Sequence, residues 1–273
     1  MFARLATVRV RPTLGFVTQL GIDLDDCIRF AGREGFDYVE VLMDGDNRRG
    51  SLAERAGDVR SSLAATDLDA AVHLPFPIDL GSPHDRQREG GVAELRACLD
   101  VAADLGAGTA VVHPTATAWD AAWDGDRLRP LVYDSLDRLA DHAGPLGIEL
   151  CAENIFGSVH TVAEMPALLE ETTVSMTLDT GHARVSGYDE ADTAAFVADH
   201  ADRVRHVHLN DTRRPADEHL PFGAGTIDFE PILGAFPEGW DGSLSLEVGT
   251  RDLDYIGESK RRLETVLERV DAR

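Results

Sequence analysis

The residues of this chain best suited to chemistry are imidazoles and carboxylates that stand at the ends of short apolar runs. Val207-His208-Leu209-Asn210-Asp211 closes an alternating apolar run at 204–209, and a polar loop then sets Asp217 and His219 two positions apart. In an extended segment, residues i and i+2 point the same way, so these two side chains are expected to face a common point. The pattern recurs along the chain in Val72-His73-Leu74, Val112-His113-Pro114, Ala152-Glu153-Asn154, Leu178-Asp179-Thr180-Gly181-His182 and Leu246-Glu247-Val248. Imidazole and carboxylate are the donors that a borderline divalent cation such as zinc or manganese takes. Singly, each has a plainer role. A lone strand-end histidine such as His73 is more often a hydrogen-bonded structural residue, and Glu153 or Glu247 alone could be a solvated loop carboxylate. Gathered at one end of one fold, Glu153, Asp179 and Glu247 would repel one another and be desolvated unless a cation neutralised them. A bound divalent metal is the expected answer.

The elements that must position these residues repeat with a regular rhythm. Strand-like runs fall at 14–18, 38–42, 70–74, 109–113, 148–154, 174–179, 204–209 and 244–248. Most are continuous apolar stretches, as expected of parallel strands covered on both faces. Amphipathic segments separate them at 25–34, 51–66, 85–105, 131–146, 162–170, 189–200 and 253–270. The third carries Val92, Leu95, Leu99, Ala102 and Leu105 at helical spacing. Gly106 and Gly147 stand where a left-handed helix cap is wanted. Eight β–α units without a linker or a composition break predict one α/β domain over 1–273, a single (β/α)8 TIM barrel. A doubly wound open sheet is the runner-up and would normally use fewer units. In a barrel, chemistry sits at the C-terminal ends of the strands, which is where these residues fall.

Bulk composition narrows the classes of function. The 273 residues include 49 acidic and 26 basic side chains, for a net charge of −23, and Lys260 is the single lysine. An acidic, lysine-poor surface stays hydrated and dispersed in concentrated salt, where screening removes the cost of self-repulsion. Halophilic adaptation is therefore expected, with a merely acidic mesophilic protein as the plainer alternative. The charge argues against a basic nucleic-acid-binding face without excluding nucleic acid, because high salt would already force reliance on few charge contacts. No apolar run approaches the ~20 residues needed to cross a bilayer, and residues 1–4 open no long apolar leader. A cytoplasmic protein without a membrane partner is expected. Cys27, Cys98 and Cys151 are odd in number and widely spaced, with no C-x-x-C pair, which argues against a disulfide framework or a cysteine zinc site. They read as small buried hydrophobes.

The motifs Leu178-Asp179-Thr180-Gly181-His182, Val207-His208-Leu209-Asn210-Asp211, Asp217-Glu218-His219-Leu220 with Gly223 and Gly225, and Leu246-Glu247 resemble those of the xylose isomerase-like barrels. That superfamily includes sugar and sugar-phosphate isomerases and epimerases as well as the endonuclease IV (AP endonuclease) family. The resemblance spans essentially the whole chain, although its specific signals are local. In the epimerase branch it implies one metal (Mn2+, Mg2+, Co2+ or Zn2+) held by Glu153, Asp179, His208 and Glu247. In the endonuclease IV branch it implies three Zn2+ held by His73, His113, Glu153, Asp179, His182, His208, Asp217, His219 and Glu247. Every one of those nine positions carries a ligand-competent residue.

Two mechanisms follow from the resemblance. The first is an isomerase or epimerase acting on a sugar or sugar phosphate through a metal-stabilised enediolate. There Glu153 and Glu247 are the catalytic acid/base pair, and His182, Arg214 and His73 bind substrate. Trp119 or Trp123 could wall the pocket, though surface loop aromatics are the commoner case. Arg213 and Arg214 lie on an acidic loop where a merely solvated role is as reasonable. The second is an endonuclease IV-type phosphodiesterase acting on DNA at abasic sites, with Glu153 bridging two metals. Against it, the 44–50 loop offers Arg48 and Arg49 but no aromatic wedge, and the glycine-rich signature expected around Thr18-Gln19-Leu20-Gly21 is missing. A non-catalytic barrel is the third reading, and the intact ligand set counts against it. Barrel isomerases often assemble as homo-oligomers, but no segment announces an interface. The sugar, the metal and the branch stay open at this level.

Overall fold

A computed structural model describes residues 11–214 and 216–272; the leader expectation for residues 1–4 lies outside them. Eight strands follow one another as β1 (Thr13–Phe16), β2 (Tyr38–Leu42), β3 (Asp69–His73), β4 (Ala107–Val112), β5 (Glu149–Glu153), β6 (Ser175–Asp179), β7 (Val204–Leu209) and β8 (Ser243–Leu246). They form one sheet in the order β1-β8-β7-β6-β5-β4-β3-β2, and every paired neighbour is parallel. The ring is drawn together between β1 and β2, where Thr18 N donates to Glu40 O at 2.8 Å and Val17 bridges Glu40. This is the (β/α)8 barrel that the apolar rhythm predicts, and each predicted strand overlaps an observed one.

Among the described residues the helices are α1 (Leu24–Glu34), α2 (Arg49–Ala65), α3 (Asp85–Leu105), α4 (Gly125–Ala143), α5 (Met165–Glu171), α6 (Thr180–Val185), α7 (Glu190–His200), α8 (Phe229–Leu233) and α9 (Leu253–Asp271). Local chemistry sets their ends. Asp23 and Asp189 cap α1 and α7 by accepting from backbone N–H groups of the first turn, and Gly106 ends α3 at φ 84°. Gly147 likewise adopts φ 76°, after a short 3-10 turn at Gly144–Leu146. Helix α4 starts six residues earlier than the expected 131. Asp124 caps it at Arg127 N, and Pro130 is tolerated near its start, where one backbone hydrogen bond is given up. Two elements are absent from the sequence reading. Helix α6 forms directly off β6, and the five-residue α8 packs Phe229, Ile232 and Leu233 into the core. Both are too short to generate a helical period.

Core side chains from strands and helices form one apolar cluster that includes Phe16, Val41, Leu99, Leu136, Met176, Val207 and Leu263. The three cysteines are buried within the protein as free thiols. No described helix is long and apolar enough to cross a membrane. The chemistry-bearing residues fall at the C-terminal ends of their strands: His73, Glu153 and Asp179 are the last residues of β3, β5 and β6, and Asp179 is opposite His208. One rim of the barrel therefore carries them all.

Candidate metal centre

The nine residues named from the resemblance lie together at this rim in three contiguous groups. Glu153, Asp179, His208 and Glu247 each offer a donor atom within 4.8 Å of the others, as do His73, His113 and Glu153, and His182, Asp217 and His219. Glu153, at the tip of β5, belongs to two groups. Its Oε2 is 3.0 Å from His113 Nε2 and 3.5 Å from His73 Nε2, while Oε1 is 3.2 Å from His182 Nδ1 and 3.5 Å from His208 Nδ1. Glu247 Oε2 lies 3.3 Å from His208 Nδ1 and 3.8 Å from His219 Nδ1. His182 Nε2 is 3.6 Å from Asp217 Oδ1, which is 2.9 Å from His219 Nε2.

Hydrogen bonds to the backbone orient several of the imidazoles. His73 Nδ1 sits 2.9 Å from Leu74 O and His182 Nδ1 3.0 Å from Asn154 O. A carbonyl can only accept, so each Nδ1 carries a proton and Nε2 is the nitrogen turned to the cluster. Asp179 ends β6 and also caps α6 through Oδ1, which fixes its carboxylate against the helix that carries His182. Asn154 links the same two strands: its Nδ2 donates to Asp179 O and its Oδ1 accepts from Asp179 N.

The loop after β7 is held by Asp211, whose side chain accepts from Thr212 N, Gly225 N and Ile227 N. Asp211 O accepts from Leu220 N, and His219 O from Gly249 N, which docks the loop onto the residues after β8. His219 is at φ 46°, a left-handed conformation uncommon for a non-glycine residue. Asp217 and His219 therefore converge through a left-handed turn rather than along an extended segment. Backbone strain of this kind persists where surrounding contacts over-determine it.

The electrostatics of the cluster call for positive charge. Burial pushes Asp179 up to about 7, and the neighbouring Glu247 and Glu153 charges add to the rise against the opposing charge of His182. Burial also works to raise Glu153, but the imidazoles of His208 and His113 override it and hold its carboxyl well below the usual range. Glu247 is brought down to about 2 against burial, chiefly by His208. Burial would lower the imidazoles, yet Asp179 drives His182 up to about 12 and Asp217 helps raise His219 to about 9. These carboxylates recruit cations, and histidines supply the charge when no other cation does. Even so, Asp179 Oδ2, His208 Nδ1 and Glu247 Oε2 remain buried without a hydrogen-bond partner. Three orphaned donor atoms converging from three strands are what a divalent cation would satisfy, so the residues fit a metal.

Other expected contacts are arranged differently. Arg214, named as a substrate residue, has a side chain 74% exposed and pairs with Glu218 at 3.5 Å, and Arg213 pairs with the same carboxylate at 3.1 Å. Arg49 of the 44–50 loop is committed to Glu94 at 2.7 Å. Trp123 is covered by Arg127, whose Cζ lies 4.3 Å from the ring centroid, and Trp119 is 77% exposed. The aromatic missing from the 44–50 loop stands beside it instead. Phe76, 56% exposed, packs its ring 5.5 Å from that of His113, and its N–H donates to Asp44. Two residues of the site were not anticipated, Glu40 and His206. Glu40 is a fully buried carboxylate within the apolar run of β2, 3.0 Å from His206 Nε2 and 3.0 Å from His208 Nε2.

The sequence pattern of the xylose isomerase-like TIM barrel family matches residues 28–270. The chain belongs to that family. Its similarity to named proteins divides between two activities. It is 28% identical over 221 residues to the probable endonuclease 4 of Mycobacterium tuberculosis, spanning 77% of this chain and 84% of that protein. The fold superposes on an L-ribulose 3-epimerase with a TM-score of 0.79 at 18% identity, covering 96% of each chain. It superposes on endonuclease IV from Thermus thermophilus with a TM-score of 0.72 at 24% identity, covering 94% of this chain and all of that one (100%).

Proposed function

We propose that this barrel is a multinuclear metal-dependent hydrolase of phosphodiesters, of the endonuclease IV type. The observation that carries the reading is the gathering of nine ligand-competent residues in three contiguous groups, two of which share Glu153. A one-metal isomerase needs only Glu153, Asp179, His208 and Glu247. It gives no reason for His113, Asp217 and His219 to aim at the same rim, or for the strained backbone at His219. The relation to the mycobacterial protein supports the same choice.

When bound, divalent metals supply Lewis acidity and neutralise charge at a phosphoryl group. The protein's part is orientation and proton handling. Glu153, fixed from both sides by imidazoles, aligns an attacking water, and Glu247, the more accessible of the two carboxylates, accepts its proton. Asn210 Nδ2 holds Asp217 Oδ1 at 3.2 Å, and Asp211 keeps the loop closed over the site. Phe76 and the 60% exposed Leu20, which packs beside Gly45, give the mouth an apolar edge against which a sugar or base ring can lie.

A second reading, a sugar or sugar-phosphate isomerase or epimerase, is favoured by two observations. Glu153 and Glu247 approach the same nitrogen, His208 Nδ1, at 3.5 and 3.3 Å, as a proton-shuttling pair would. The net charge of −23 also suits a small substrate better than a nucleic acid. Metal analysis and turnover together separate the readings. The protein is loaded with zinc or manganese and incubated, in low and in molar salt, with an abasic-site duplex and with a panel of ketoses and ketose phosphates. Three metals per chain with duplex cleavage support the hydrolase. One metal per chain with ketose turnover and an intact duplex would overturn it in favour of the isomerase.

A further inference from the structure

Beneath the metal-facing rim, the barrel interior holds a second polar layer to which the proposed chemistry assigns no role. Glu40 of β2 reaches across to β7 and β8. Its Oε1 is 3.0 Å from His208 Nε2, and its Oε2 is 3.0 Å from His206 Nε2 and 2.6 Å from Ser245 Oγ. His206 Nδ1 is in turn 2.6 Å from Ser243 Oγ. Glu40, His206, His208 and Ser245 are all fully buried. A buried carboxylate is costly unless it is fully hydrogen-bonded, and packed apolar side chains at such a place are often as stable or more so, so a carboxylate kept here invites a role.

Its geometry supplies one. His208 offers Nε2 to Glu40 and keeps Nδ1 for the rim, where Nδ1 has no hydrogen-bond partner and faces Glu153 and Glu247. A carboxylate accepts and cannot donate, so Glu40 selects the His208 tautomer with its proton on Nε2 and its lone pair on Nδ1. It also fixes the plane of the ring and raises the basicity of Nδ1. Ser245 and His206 fix Glu40 in turn, so the orientation of one donor is set by residues on three strands. We propose that Glu40 is the positioning residue of the metal centre, acting through His208, with Ser245 and His206 holding it in place.

This inference rests on the rim holding a metal, and the test keeps the two apart. Zinc and cobalt affinities are measured by chelator competition for the wild-type protein, Glu40→Gln and Ser245→Ala, with circular dichroism and thermal melting as controls. The visible spectrum of each cobalt-loaded protein reports the ligand field. Glu40→Gln is expected to lose about 10- to 100-fold in affinity and to shift the cobalt bands, while Ser245→Ala shows a smaller change in the same direction. Wild-type protein that binds no metal overturns the metal centre itself. Wild-type protein that binds metal, with affinity within twofold and identical cobalt bands in Glu40→Gln, overturns the role of Glu40. If Glu40→Gln does not fold, Ser245→Ala decides alone: a folded Ser245→Ala protein with unchanged affinity and spectrum overturns the proposal.

Discussion

Replacing Asp217 with Asn separates a three-group centre from a one-metal site, because Asp217 belongs to one group only. Its Oδ1 stands 2.9 Å from His219 Nε2 and 3.6 Å from His182 Nε2, and it is the single carboxylate of that group. Asparagine keeps the shape and can still accept from Asn210 Nδ2, so the loop held by Asp211 has no reason to open. The charge is lost, leaving two imidazoles to hold a cation. Removing a residue that merely orients a metal ligand typically costs ~10–100-fold in affinity. Removing the anionic donor itself should cost at least the upper end, about 2.7 kcal/mol at 1.36 kcal/mol per decade. The group of Glu153, Asp179, His208 and Glu247 does not include Asp217 and should retain its metal. After dialysis against a weak chelator, elemental analysis should therefore find three metals per wild-type chain and two in Asp217→Asn, with phosphodiester cleavage reduced in parallel. Wild-type protein with one metal per chain, or an Asp217→Asn protein that keeps three at unchanged affinity, refutes the reasoning.

Two further substitutions test the scaffold around the site. In Gly225→Ala the new Cβ would collide with the Asp211 carboxylate and lie 2.6 Å from Thr212 O. Overpacking of this kind costs typically about 1–3 kcal/mol, so a lowered thermal midpoint and weaker metal binding by the Asp217–His219 group are expected, and an unchanged midpoint refutes the close approach. His160 tests acid lability at a buried imidazole that is not itself a proposed ligand. Burial lowers its pKa from the ordinary 6.5 to about 4, with its Nδ1 hydrogen-bonded to Pro114 O opposing the fall. The unfolded chain therefore takes up a proton between pH 6.5 and 4 that the folded protein refuses. Stability is full above pH 6.5 and declines as pH falls, by about 3.5 kcal/mol in all at about 1.4 kcal/mol per pKa unit. Denaturant unfolding at pH 7.5 and 4.5 should show a smaller acid loss in His160→Asn than in wild type, and equal losses refute the assignment.

Strand-end residues are legible from sequence because a barrel imposes a simple rule: whatever stands at or just past the C-terminal end of a parallel strand lands on the catalytic rim. His73, Glu153 and Asp179 end their strands, His208 is the last but one of its strand, Glu247 is the first residue beyond its own, and register sets Asp179 opposite His208. The residues that lay hidden break the rule in physically distinct ways. Glu40 sits inside a strand rather than past its end, and its partners His206, His208 and Ser245 are 166 to 205 positions away. Only the closed ring brings β2 opposite β7 and β8. A carboxylate between the buried Val39 and Val41 was the available signal, since nothing apolar is gained by placing it there. His219 was seen but its backbone was not. Its left-handed turn depends on Gly249 N–H reaching His219 O from beyond β8, a bond that local propensity cannot encode. Arg214 pairs with Glu218, which stands between Asp217 and His219, a contact set by the shape of the loop rather than by residue type. Donor type and strand position are thus written locally, whereas the face each donor turns to the metal is set by partners from distant strands. Glu40, hydrogen-bonded to His208, and Asp211, which holds the loop carrying Asp217 and His219, are two such distant partners.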